Sequence, residues 1–361
     1  MGLKIALISP LFERVPPQLY GGTERIVAAL ADSLTRLGHD VTLFATADAR
    51  TQAHLVPVRD RALRLDSDPL VSDLAAHLNM LDEVRQRAGE FDVLHFHTDM
   101  LHFPLFNEIA ERTVTTLHGR LDLKDIRGTY RRWPRYPLVS ISDQQRLPLP
   151  FANWYGTVHH GLLLQQYAFS AGADGGYLAF LGRISLEKRP DRAIAIAKRA
   201  GIPLKIAAKV DRSDRAYYHE VIEPLLTDPM IEYVGEIDDD FKADFLGRAS
   251  ALLFPIDWPE PFGLVMIESM ACGTPVIAYN HGSVPEVVED GVTGFIVNGE
   301  DEAVAAVHRI NDLDRRRTRE ECERRFSAEA MARRYLHIYM RLFNRPQAEL
   351  CTEPPILQTT E

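Results

Sequence analysis

Cysteine is scarce in this chain: three in 361 residues, Cys272, Cys322 and Cys351, odd in number and without metal spacing. That excludes a disulfide framework and a cysteine-built metal site, and it suits a reducing, cytoplasmic compartment. Long apolar runs are missing too. The stretch Leu3-Lys4-Ile5-Ala6-Leu7-Ile8 reads as a strand, too short for a bilayer span or a signal peptide, so any membrane contact would be peripheral. An excess of positive charge is also lacking. The formal net charge of -10 argues against general nucleic-acid binding. No G-x-G-x-x-G dinucleotide fingerprint and no solenoid repeat is present, which weakens a nicotinamide-nucleotide reading.

What is there is an alternation of short apolar strands and amphipathic helices, the pattern of parallel sheets covered on both faces. A chain of 361 residues suits two domains of this α/β kind. Strands are predicted at Leu3–Ser9, Val41–Ala45, Val93–His97, Thr113–Leu117, Leu138–Ser142 and around Thr157–His159, with helices over Thr23–Leu37 and Val71–Ala88. The interval between residues 46 and 70 reads as irregular. Ser170-Ala171-Gly172-Ala173-Asp174-Gly175-Gly176 is the clearest linker. A second series then begins: strands Tyr177–Leu181, Leu204–Ala208, Ile231–Val234 and Ala251–Phe254, a helix Pro190–Ala200 with proline near its start and Gly201 at its end, and a last helix over Ala328–Phe343. The resulting layout is 1–168, 169–328, a terminal helix 329–345, and a frayed polar tail 346–361.

The densest chemistry lies in Glu260-Pro261-Phe262-Gly263-Leu264-Val265-Met266-Ile267-Glu268. The spacing places Glu260 on the loop after the strand Ala251–Phe254, and Glu268 about two turns into the following helix. The backbone N–H groups of Phe262, Gly263 and Leu264 lie between them at a helix start, where anions and phosphate in particular bind. Carboxylates suit sugar and ribose hydroxyls, and amide groups suit a diphosphate. A sugar nucleotide presents all three.

This stretch resembles the E-x7-E signature of family-4 retaining glycosyltransferases, and the resemblance runs from Lys4 to about Phe343. Ala271-Cys272-Gly273-Thr274-Pro275-Val276 and Pro285-Glu286 follow in the family's order. The resemblance implies the GT-B fold, two Rossmann-like domains facing across a cleft, with a C-terminal helix that crosses back to the first domain. It implies a nucleoside diphosphate sugar as co-substrate, no further cofactor and no metal. Gly182-Arg183-Ile184-Ser185-Leu186-Glu187-Lys188 is similar to the family's G-R-x-x-x-x-K element, whose Arg183 and Lys188 would hold the donor diphosphate as its negative charge grows. Glu268 would take the ribose and Glu260 the sugar hydroxyls. Gly21 and Gly22, in Tyr20-Gly21-Gly22-Thr23-Glu24, would let the donor phosphates and the acceptor approach the backbone. His118, ending Thr115-Thr116-Leu117-His118, matches the histidine that reaches the donor sugar.

Three departures stand out. Ser283 replaces the second glycine in Asn280-His281-Gly282-Ser283-Val284-Pro285-Glu286, Lys209 stands where glycine is common, and His160 where asparagine is common. His95 and His97 share one strand face and read as cleft-lining or structural. Asp238-Asp239-Asp240 reads as a helix start rather than a metal-binding D-x-D. Arg120–Tyr136, basic and aromatic, offers a solvated surface or an acceptor or anionic-membrane contact. The reading is a retaining glycosyltransferase with an unidentified glycan, lipid or small-molecule acceptor. An epimerase, a phosphorylase or a non-catalytic subunit of the same fold stays open.

Overall fold

The computed structural model describes residues 2–18, 21–67 and 72–343. The tail from 346 and the first residue of the helix expected from Val71 lie outside the described residues. Seven parallel strands build the first sheet: β1 Lys4–Ile8, β2 Asp40–Thr46, β3 His54–Arg59, β4 Val93–Phe96, β5 Thr113–Thr116, β6 Leu138–Ser140 and β7 Trp154–Thr157. Their spatial order is β3-β2-β1-β4-β5-β6-β7. Helices α1 Gly22–Arg36, α2 Asp73–Gln86, α3 Phe103–Phe106, α4 Ile126–Arg132 and α5 Asp143–Arg146 run between them.

The second sheet has six parallel strands: β8 Leu178–Arg183, β9 Leu204–Lys209, β10 Ile231–Gly235, β11 Ala251–Phe254, β12 Val276–Tyr279 and β13 Gly294–Val297. Their order is β10-β9-β8-β11-β12-β13. Around it lie α6 Pro190–Ala200, α7 Arg215–Tyr217, α8 Asp239–Gly247, α9 Leu264–Ala271, α10 Val284–Val287, α11 Glu300–His308, α12 Arg315–Phe326 and α13 Ala328–Phe343. Met331, Ala332, Tyr335, Ile338 and Tyr339 of α13 are buried in the core of the first sheet beside Ile26, Leu30 and Leu34 of α1.

Two local expectations differ. The interval read as irregular holds β3, an edge strand, where Pro57 needs no ladder partner for its missing N–H. Its pattern is half-exposed, so no apolar run marks it. The strand expected around Thr157–His159 lies three residues earlier, and Val158 is instead buried in the core that α13 completes.

Strand order reverses between β1 and β4, and again between β8 and β11. Open parallel sheets bind ligands at such switch points, outside the carboxyl ends of the strands. The loops leaving β1, β5, β8 and β11 carry the residues singled out from sequence, and the two switch points face each other across a cleft of about 360 Å³.

Candidate active site

All ten residues singled out from sequence line that cleft: Gly21, Gly22 and His118 from the first domain, Arg183, Lys188, Glu260, Phe262, Gly263, Leu264 and Glu268 from the second. Glu260 is buried, ion-paired with Lys188, and accepts a bond of 2.9 Å from the Trp258 indole N–H. Its backbone is clamped from behind. A side chain at Gly282, where φ is +55°, would put its Cβ 2.4 Å from the Glu260 nitrogen and oxygen. Beside it, the Ser283 N–H donates to the Glu260 carbonyl (3.0 Å) and the Ser283 hydroxyl to the Phe262 carbonyl (2.8 Å). Ser283 therefore adds a fastening that a glycine could not.

Glu268 is the fifth residue of α9, just over one turn in rather than the two expected, because the helix begins only at Leu264. Gly263 occupies the left-handed region before it (φ +77°), and a Cβ there would meet Met266 at 2.8 Å and Phe254 at 3.0 Å. Only glycine makes this turn without strain. The buried Glu268 carboxylate accepts from Tyr167 Oη (3.1 Å) and Lys242 Nζ (2.9 Å), with Arg25 Nε 4.0 Å away. Sequence reasoning missed these three partners. Arg25 had a signal, since it follows the glycine pair on the same helix start; Tyr167 and Lys242 had none.

Arg183 ends β8 among three carboxylates, Glu187 at 3.5 Å, Asp211 at 3.6 Å and Asp214 at 3.8 Å, all loose enough to leave the guanidinium able to turn. Lys209 lines the same cleft and pairs with Asp211 at 3.1 Å.

Across the cleft the material changes. A ring nitrogen of His118, Nε2, shares a 2.8 Å hydrogen bond with Nδ1 of His97. Among the described residues His118 Nδ1 is buried without a hydrogen-bond partner, and burial pushes the pKa of the ring down to about 3. His160 stacks on His118 at 5.2 Å and meets the edge of Phe262 at 4.9 Å. His95 bonds Tyr339 Oη and Thr116 Oγ1, each at 2.7 Å, so it is a core residue, while His97 orients His118. Behind Gly21 and Gly22, burial and the neighbouring Glu13 push the Glu24 carboxyl up to about 7.

Other expectations settle on geometry. Asp238 caps α8, accepting from the Phe241 N–H at 3.0 Å. Glu286 lines no part of the cleft; its carboxylate accepts from the N–H groups of Asp143 (2.7 Å) and Gln144 (2.8 Å) at the start of α5 in the other domain. In the segment Arg120–Tyr136 the aromatics Tyr130 and Tyr136 are buried in the core, the latter donating to the Phe103 carbonyl at 2.5 Å. They are not an aromatic surface face: α4 turns Tyr130 inward, and Tyr136, beyond that helix and just before β6, is buried in the same core. Arg120, though partly exposed, bridges to Glu187 of the second domain.

Two Rossmann-like sheets facing across a charged cleft are the architecture of GT-B glycosyltransferases. Residues 169–330 match the family described as glycosyl transferases group 1, and residues 20–149 match glycosyltransferase family 4. The chain is 32% identical over 336 residues to D-inositol 3-phosphate glycosyltransferase of Mycobacterium tuberculosis (strain F11), covering 77% of this chain and 68% of that protein. It is 27% identical over 338 residues to the protein of that name from Mycolicibacterium smegmatis, covering 78% and 76%. Among solved structures, a glycosyltransferase involved in avilamycin A biosynthesis superposes with a TM-score of 0.71 at 23% identity, covering 94% of this chain and 98% of that one. An Anabaena protein in complex with UDP and glucose gives 0.71 at 17%, covering 93% and 98%. The chain belongs to the family-4 glycosyltransferases of the GT-B fold, and it is an enzyme of the glycosyltransferase class.

Proposed function

We propose that the enzyme moves a sugar from a nucleoside diphosphate sugar to an acceptor hydroxyl with retention at the anomeric carbon. The observation that carries this reading is the convergence of Arg183, Lys188, Glu260, Glu268 and the start of α9 on one cleft, opposite His118. In it Arg183, Lys188 and the Phe262, Gly263 and Leu264 amides hold the diphosphate, Glu268 the ribose and Glu260 the sugar hydroxyls. The Anabaena neighbour, bound to UDP and glucose, supports a nucleotide in such a cleft. As the C1–O bond to the diphosphate breaks, the acceptor oxygen bonds C1 on the same face and its proton passes to the departing diphosphate oxygen. Two cations and a helix start disperse the charge that develops there, so turnover is expected to survive EDTA. His118 stays neutral above its lowered pKa and offers Nδ1 to the sugar as a hydrogen-bonding group. A double displacement would need a carboxylate nucleophile, and Glu260 is already engaged by Lys188 and Trp258.

The test is thermal stabilisation and slow hydrolysis across UDP-, GDP-, ADP- and dTDP-sugars, with and without EDTA. One donor should stabilise the enzyme, and Glu268→Ala should abolish the response. Silence across the panel would sink the donor assignment, and an inverted product by NMR would sink retention. For the acceptor, exposed Lys124, Arg127, Arg131 and Arg132 form the part of the basic segment that could meet an anionic membrane at the inner face. Binding to phosphatidylserine vesicles that fades with salt supports that contact; no binding removes it.

A further inference from the structure

Among the described residues, the first domain bonds the Arg183–Lys188 loop of the second through Arg120. It stands two residues after His118, and Asp122 grips its Nε and Nη2 at 2.8 Å each. That leaves Nη1 to bond Glu187 Oε1 at 2.9 Å across the cleft. Glu187 lies in the loop between Arg183 and Lys188, and its other oxygen is 3.5 Å from Arg183. Its carbonyl accepts from the Asp257 N–H at 2.9 Å, which joins this loop to the one carrying Glu260. The Arg120 guanidinium also lies 5.5 Å from the Trp258 ring centre, the ring that Lys188 Nζ approaches at 5.3 Å. That indole donates its N–H to Glu260 at 2.9 Å.

We propose that Arg120 is a positioning residue: through Glu187 and Trp258 it aligns the Arg183–Lys188 loop and Glu260 with His118 when the two domains are together. This rests on the donor-site reading above. Stability does not explain the arrangement. Both side chains of the Arg120–Glu187 pair are 36% exposed, and ion pairs so exposed add little to stability. Geometry does explain it. Asp122 takes two of the guanidinium's five N–H donors on the home domain, and because the fork is planar and rigid this fixes its orientation and aims Nη1 at Glu187. A Glu187 without Arg120 would be left to Arg183, drawing that cation toward its own loop and away from a diphosphate.

The experiment compares Arg120→Ala, Glu187→Ala, the double variant and Arg120→Lys in the full-length enzyme. Hydrolysis of whichever of UDP-glucose, GDP-mannose, ADP-glucose or dTDP-glucose the wild type accepts is measured beside binding of the matching nucleoside diphosphate. Arg120→Ala should lower kcat about 10- to 100-fold, as expected for a misplaced reacting group, while KM and nucleoside diphosphate affinity stay within about threefold because the second domain binds it. The double variant should be no worse than the more impaired single one, since both remove one link, and Arg120→Lys should recover part of the loss. An unchanged kcat, a loss confined to KM, or additive losses in the double variant would each overturn the proposal. Wild-type enzyme silent toward all four donors would instead bring down the donor-site reading, and this inference with it.

Discussion

The two halves of the cleft are made of opposite materials. The second domain offers charge: Arg183, Lys188, Lys209, Lys242, Glu260 and Glu268 all line it. The first offers mainly neutral groups, Gly21, Gly22, His118 and His160, with Arg25 as its cation. Burial keeps His118 and His160 uncharged, and it keeps Glu24 protonated below about pH 7. The contrast suits the proposed reaction: there an anionic donor would need fixed cations on one wall, while a sugar cation forming beside the opposite wall would be better served by hydrogen bonds that carry no repelling charge.

The sharpest way to break this comparison is to remove a charge from the second domain. Lys188→Met takes away the cation proposed to meet the leaving diphosphate and leaves Glu260 buried beside an apolar chain. We expect kcat/KM to fall about 10³-fold, roughly 4 kcal/mol, a cost typical of a lost transition-state contact. Steady-state kinetics on the accepted nucleotide sugar checks it, and a fall below tenfold would mean that Arg183 and the helix start suffice.

Glu24 tests the neutral wall. Its folded pKa of about 7 stands above the ordinary 4.5, so the protonated form is favoured by folding. The stability linked to it is complete below pH 4.5, falls as pH rises through the interval from 4.5 to 7, and is gone above that. Glu24→Gln keeps the neutral shape and removes the titration, which should stabilise the enzyme at pH 8 by on the order of 3 kcal/mol. Melting curves of both proteins at pH 5 and pH 8 decide it. Equal pH dependence would show a Glu24 that is ionised in the fold, and a first domain less neutral than described.

Gly282→Ala asks whether the charged wall depends on its backing. The added methyl cannot be placed without moving Glu260, whose backbone atoms lie 2.4 Å from it. If Glu260 binds the sugar as proposed, a shift of that size should cost about 10²-fold in kcat, with nucleoside diphosphate affinity retained because Glu268 and Arg183, its proposed holders, are on other elements.

The charged wall was also the more legible one in sequence, for a physical reason. Glu260 and Glu268 flank a single strand–turn–helix, and Arg183 and Lys188 one loop, so local spacing carries the geometry. Tyr167, Lys242 and Arg25 meet Glu268 only through tertiary folding, from three distant segments, and no local period announces them. The edge strand β3 escaped because Pro57 and a half-exposed face hide its alternation. Tyr130 and Tyr136 were misplaced since composition alone does not say which way a seven-residue helix turns Tyr130, or that the loop after it carries Tyr136 into the core.

Glu286 makes the smallest change and addresses the seam between the halves. It sits in the Pro285-Glu286 motif after β12, yet its carboxylate serves the first domain, bonding the exposed N–H groups that open α5 and His159 at 3.1 Å. Those bonds hold its pKa below the ordinary value despite the opposing effect of burial. A depressed carboxylate contributes stability above pH 4.5 that is lost as pH falls through its folded pKa, so acid should loosen the domains before it unfolds either one. Glu286→Gln keeps the shape but replaces a charge-assisted acceptor with a neutral one, at a cost of about 1 kcal/mol. Scattering profiles at pH 7 and at an acid pH below the depressed folded pKa, with melting curves alongside, should show the variant at pH 7 resembling the wild type in acid. A variant as compact as the wild type at both pH values would place the seam's strength in the apolar packing of α13 on α1 instead.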